Sequence, residues 1–144
     1  MRIAIFSMIS LIIIFFFWKN LMIPKSTGIK NGKLYECPNS PNCVSSQAKD
    51  AKHYIDPLPY TSESLNEIKT YLKEHYNTDV VEETPTYLHV VITTKILRFK
   101  DDLEFLVDRK NQVIHVRSAS RVGYSDMNVN RKRIEKMKRE LTGM

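Results

Sequence analysis

Residues 112–133 read QVIHVRSASRVGYSDMNVNRKR, and the order of events within them decides the fold. Gln112–Val122 alternates as a strand does. Ile114, Val116, Ser118, Ser120 and Val122 share one face, and Val113, His115, Arg117, Ala119 and Arg121 share the other. Gly123-Tyr-Ser-Asp126 ends the alternation, and Asn128–Arg133 opens a helix whose apolar stripe is Ile134, Met137 and Leu141. A strand that hands over directly to an amphipathic helix places that helix against a sheet.

Working back from this stretch, the period stays at two. Arg109-Lys-Asn-Gln112 is a hairpin turn. Before it, Asp101–Asp108 sets Leu103, Phe105 and Val107 against Asp102, Glu104, Leu106 and Asp108. Tyr87–Ile96 is rich in β-branched residues, and Asp79–Glu83 is a short strand ending near Pro85. Short connections between successive strands imply antiparallel pairing. Earlier still, Leu65, Ile68 and Leu72 recur at helical spacing beside Tyr71. Thr61 or Ser62 is placed to cap that helix, Glu63 and Glu67 suit its positive end, and Asn77 is placed to stop it. Asp56-Pro-Leu-Pro59 is an extended lead-in. The class is therefore α+β: an antiparallel sheet of about four strands packed against two helices.

Ile3–Trp18 is apolar except for Ser7 and Ser10 and is flanked by Arg2 and Lys19. With Leu21, Met22 and Ile23 it approaches the roughly 20 residues of a membrane helix. Trp18 and Lys19 would then lie at the interface, the lysine snorkelling. No small-x-small cleavage site follows. The organisation expected is a transmembrane anchor over 1–23 (a cleaved signal peptide being the rival), a linker over 24–36, and one domain over 37–144. The loop lysines 19, 25, 30 and 33 argue for a cytoplasmic domain by the positive-inside count. A short N-terminal tail argues for a signal-anchor that exports it. The cysteines tip the expectation outward, to a single-pass membrane protein with an extracytoplasmic domain. Cys37-Pro-Asn-Ser-Pro-Asn-Cys43 is a tight turn whose ends can come within disulfide range, which fits an oxidising compartment. Free thiols, metal ligation and redox chemistry are the weaker alternatives.

The net charge of +6 is unevenly spread. Residues 36–108 hold 13 acids against 7 bases, and residues 109–144 hold 10 bases against 3 acids. Such a field favours anionic partners. His115, Arg117 and Arg121 project from one side of the last strand. Arg131, Lys132 and Arg133 crowd a helix start, where the macrodipole disfavours cations. With Tyr124 and Asp126 in the intervening turn, these residues form a candidate anion site over His115, Arg117, Arg121, Tyr124, Asp126 and Arg131. The competing reading pairs each arginine with a carboxylate of the neighbouring strand, among them Asp101, Asp102, Glu104 and Asp108. No nucleotide-binding glycine loop, zinc-protease motif or serine-hydrolase elbow is present. The four histidines lack ligand spacing, so neither metal nor cofactor is expected. Strand alternation turns Ser118 away from His115, against a serine nucleophile.

The chain resembles the DUF1499 domain family of uncharacterised proteins. The residues that carry the resemblance are Cys37-Pro-Asn-Ser-Pro-Asn-Cys-Val-Ser-Ser-Gln-Ala48, Asp56-Pro-Leu, Asp101-Asp-Leu-Glu-Phe105, Ile114-His-Val-Arg-Ser-Ala-Ser-Arg-Val-Gly-Tyr-Ser-Asp126 and Asn128-Val-Asn-Arg131. The resemblance implies a small domain, often behind a signal or membrane segment, with no assigned activity. The function expected is a membrane-tethered, non-enzymatic domain that binds an anionic small molecule or a protein partner through Arg117, Arg121 and Arg131. The alternative is an enzyme on a small anionic substrate, with His115 as acid/base. Nucleic acid is not expected as a partner, since little aromatic interleaving is available for base stacking.

Overall fold

A computed structural model of the chain describes residues 2–61 and 63–143, with side chains from residue 5 onward. Its elements in chain order are α1 (Arg2–Leu21), β1 (Ile29–Lys30), β2 (Lys33–Leu34), β3 (Cys43–Ser45), β4 (Leu58–Pro59) and α2 (Ser64–His75). There follow β5 (Thr78–Glu83), β6 (Tyr87–Thr93), β7 (Lys100–Asp108), β8 (Val113–Ser120) and α3 (Val129–Thr142). The four strands expected from periodicity form an antiparallel meander, β5 to β8. The sheet nevertheless has six strands, because β3 and β4 both pair with the free edge of β8. At three and two residues these strands are too short to show a period of two. Pro59 also sits where proline is tolerated, on an edge.

Alternation along β7 and β8 sorts the side chains as the sequence pattern requires. Leu103, Phe105, Val107, Ile114 and Val116 turn toward α2 and α3 and meet Ile68, Leu72, Ile134 and Met137 in the main core. The helices form because their apolar residues fall on one stripe. Leu141, the last of the α3 stripe, is already 37% exposed. At the start of α2, Thr61 shares a hydroxyl hydrogen bond with Ser64, 2.9 Å, and no side chain caps the helix directly. Ser62, the other expected cap, lies outside the described residues.

The other face of the sheet is also covered, and the cover is the stretch expected to be a flexible linker. Residues 29–34 make a two-stranded hairpin, whose turn residues Asn31 and Gly32 have φ of 53° and 72°, as a primed two-residue turn needs. Leu34 packs against Tyr87 and Leu106 in a second small core, and the Gly28 N–H donates to the Glu104 carboxylate. This hairpin converts a sheet face rich in charge into an interior.

The transmembrane helix expected at the N-terminus is corrected. Among the described residues no helix is long and apolar enough to cross a membrane. The largely apolar run of 16 residues, Ile3–Trp18, measures about 24 Å at helical rise, against a hydrocarbon thickness of about 30 Å. Asn20, inside the segment that would extend it, is buried against the domain, and its amide is bonded to the β6–β7 loop.

Candidate functional site

The outer face of β7 and β8 carries two ion pairs in the interior. Glu104 lies opposite Arg117 in the register. Its Oε2 accepts from Arg117 Nη1 at 2.8 Å, and its Oε1 accepts from the Tyr87 hydroxyl at 2.8 Å. Burial, and then the Glu104 charge, push the Tyr87 phenol above its usual range, so it stays a donor. Two residues along, Asp102 takes Arg121 in a bidentate grip, with Nε and Nη2 each at 2.8 Å. His89 Nε2 adds a third contact at 2.8 Å. Burial opposes ionisation of Asp102, yet the hydrogen bonds from Arg121 and His89 outweigh it and hold the carboxyl below the ordinary aspartate range. Asp102, Glu104, Arg117 and Arg121 are all at most 6% exposed.

The arginine-lined strand is thus an internal charge lattice, the competing arrangement that the carboxylates of β7 allowed. The face that would have gripped an anion is covered, and both guanidiniums are neutralised. The other candidate residues do not join them. Tyr124 is 74% exposed. Asp126 serves α3: its Oδ1 accepts the Asn128 N–H at 3.1 Å and its Oδ2 the Asn130 N–H at 2.8 Å. Its negative charge offsets the cations crowding that helix start. Arg131 reaches the Lys52 carbonyl at the surface, 3.0 Å. Arg133 is drawn inward to Asp101, 2.6 Å, and to Asn130, 2.9 Å.

His115 lies half-buried elsewhere. Its Nδ1 is 3.2 Å from Ser46 Oγ and its Nε2 is 3.6 Å from Asp108. Sequence reasoning missed Ser46, which reaches His115 only because β3 docks on β8. This serine–histidine–aspartate row is tied into the backbone, since the buried Ser46 oxygen also accepts the Val116 N–H at 2.9 Å.

Cys37 and Cys43 form a disulfide. The loop they close is fastened to the Gly123 turn. Asn42 donates to the Gly123 carbonyl at 2.7 Å and accepts the Ser120 N–H on its own carbonyl at 3.0 Å. Among the described residues no group of three or more His, Cys, Asp and Glu is placed to hold a metal.

Two features at the end of the sheet had no strong sequence signal. First, α1 is clamped to the domain by polar groups at its last turn. Asn20 donates to the Arg98 carbonyl at 2.8 Å and accepts the Lys100 N–H at 2.8 Å. Arg121 Nη1 donates to the Asn20 and Leu21 carbonyls at 3.4 and 3.2 Å. These are carbonyls that a helix C-terminus leaves unpaired. Second, a cleft of about 760 Å³ opens between α1, the β6–β7 loop and the β8–α3 turn. Its walls include Ile13, Phe16, Phe17, Leu97, Phe99 and Val129. An asparagine closing an apolar run, and a Leu97-Arg98-Phe99 segment with no strand period, were the only hints; the strand expected over Tyr87–Ile96 ends at Thr93, which leaves Ile96 in this loop.

A family model described as "Protein of unknown function (DUF1499)" matches residues 33–141. No curated protein and no solved structure gives a match to the chain. The matched residues take in the disulfide loop, the charge lattice, the Gly123 turn and both domain helices.

Proposed function

The chain belongs to the DUF1499 family, proteins of unknown function, and from that premise we propose that it works as a small membrane-anchored binding domain rather than as an enzyme. The observation that carries this reading is α1. From Ile5 to Trp18 its large apolar side chains are 46–69% exposed on all sides of the helix. A helix apolar all round is stable only where its whole circumference is covered. The domain touches only its last turns, so lipid is the cover that suits the rest. Trp18 and Lys19 stand at the depth where such residues meet headgroups. Anchoring of this kind does not need the helix to cross the bilayer. The Cys37–Cys43 bridge supports an oxidising compartment for the domain.

The anionic partner expected from the sequence has to be met by different residues from those first singled out. Arg117 and Arg121 spend their charges inside, while Arg131 stays at the surface. Unpaired cations gather instead in the β6–β7 loop, beside α1. The enzyme reading rests on one specific observation, the Ser46–His115–Asp108 row. Against it, the Ser46 hydroxyl is buried and backbone-bonded.

Flotation of the full chain with phospholipid vesicles tests the anchoring. The wild type should rise with the vesicles and resist a high-salt wash, and the Ile9→Asp/Ile12→Asp variant should stay behind. A wild-type chain that remains in the aqueous fraction as a monomer would overturn the reading. Ser46→Ala, which should leave membrane association unchanged, separates the binding reading from the catalytic one if any hydrolytic activity is detected.

A further inference from the structure

We propose that the cleft between α1 and the end of the sheet holds a single anionic phospholipid, with its acyl chains along Ile13, Phe17, Leu97 and Phe99 and its phosphate at Arg98 and Lys100. The proposal rests on the membrane-anchored reading and names the ligand class of that arrangement.

The cleft has the size of a ligand site, about 760 Å³, where such sites measure roughly 300–1,000 Å³. Along α1 its lining passes from apolar residues to Asn20. Ile13, Phe16 and Phe17 of α1 line one end, and Asn20 and Leu21 lie farther along the helix. Ile13 and Asn20 are about 10 Å apart at 1.5 Å per residue. The β6–β7 loop is registered to the Asn20 end, because Asn20 bonds both the Arg98 carbonyl and the Lys100 N–H. The segment that carries Arg98 and Lys100 is therefore fixed at the level of Asn20, and the apolar side chains of α1 run from there toward the middle of that helix. A phospholipid standing parallel to the helix has the same order, phosphate then chains.

The charges at the rim favour an anion. Asp101 and Asp126 also line the cleft, but both are occupied. Asp101 holds Arg133, and Asp126 holds the backbone of α3. Arg98 and Lys100 have no carboxylate partner among the described residues, and the loop segment 94–100 carries Lys95, Arg98 and Lys100 with no acid. Unpaired guanidinium and ammonium groups beside an apolar wall suit a lipid phosphate by charge-assisted hydrogen bonding.

The test is native mass spectrometry of the full chain. The protein is extracted in mild detergent from vesicles of phosphatidylcholine that contain a minor share of phosphatidylglycerol. One phosphatidylglycerol should be retained per chain in preference to phosphatidylcholine. Arg98→Ala/Lys100→Ala should cut that preference about tenfold, the scale of one or two charge-assisted contacts. Both substitutions leave the backbone bonds to Asn20 in place. Leu97→Asp/Phe99→Asp should retain no lipid, and an unchanged far-ultraviolet spectrum would show that these variants fold. Flotation of the same samples separates the two claims. A chain that floats but carries no lipid, or that keeps its full preference for phosphatidylglycerol with the arginine and lysine removed, overturns the lipid site alone. A chain that does not float overturns both.

Discussion

At the scale of single residues, the molecule is decided by where its charges end up. Arg117 sits opposite Glu104 in the register, and both are sealed beneath the 29–34 hairpin. Desolvating such a pair costs nearly as much as its attraction returns, so its net contribution is small while it stays whole. Removing one partner leaves a buried charge with no counterion. Glu104→Ala should therefore cost about 3–5 kcal/mol, read as a drop in the urea midpoint at unchanged slope. A loss under about 1 kcal/mol would mean that water reaches Arg117. Asp102 sets the behaviour in acid. Its carboxyl is held below the ordinary value of 3.8, so the unfolded chain takes up the proton first. The stability that Asp102 contributes is then complete above about pH 4 and drains away as pH falls below 3.8 toward the depressed value. Urea midpoints followed from about pH 7 downward should stay level and then fall in this acid window, and Asp102→Asn should flatten the fall. The sequence showed which residues were available for this lattice, because alternation placed Arg117, Arg121, Asp102 and Glu104 on one face. It could not show that the face is covered, since the covering hairpin reads as a polar linker with turn residues. A candidate anion site and a buried ion pair share the same pattern until the cover is known.

At the scale of elements, periodicity found the strands and helices that exceed one turn or one pleat pair. It missed β1 to β4, which are two or three residues long and are held by their partners rather than by their own pattern. The last helix illustrates how a local violation resolves. Arg131, Lys132 and Arg133 stand where the macrodipole opposes them, and Asn128 at the helix start makes no side-chain cap. Asp126 supplies both the missing cap and the missing negative charge from two residues upstream, and Arg133 turns in to Asp101 while its guanidinium lies 5.6 Å from the centre of the Tyr76 ring. An arrangement that looked like a poised anion site is a helix start already saturated from within. Asp126→Ala should accordingly destabilise the domain by about 1–2 kcal/mol, the upper part of the range for losing a cap. Asp126→Asn, which keeps an oxygen acceptor but not the charge, should recover about half. Equal losses for the two variants, measured by chemical denaturation, would assign the effect to charge alone.

At the scale of the whole molecule, the question is how a domain with its own core is coupled to a helix that it barely touches. The coupling runs through polar groups. Arg121 binds Asp102 inside the sheet and, with the same guanidinium, the last carbonyls of α1. Asn20 binds the loop that bounds the cleft. One buried arginine thus ties the charge lattice of the matched region to a helix outside it, so the orientation of α1 is set by the fold and not by a free tether. The sequence hid this connection because it joins residues about 100 positions apart in the chain, which no local pattern reports. If the clamp fixes the helix, Asn20→Ala should free the Lys100 amide, which donates to the Asn20 side chain. Hydrogen exchange at Lys100 should then speed up by about tenfold or more, since each 1.4 kcal/mol of lost protection is a factor of ten. Amides in the centre of β7 should keep their protection. Uniform acceleration across β7 would show that Asn20 supports the domain as a whole, and unchanged exchange at Lys100 would show that α1 is not held by this contact.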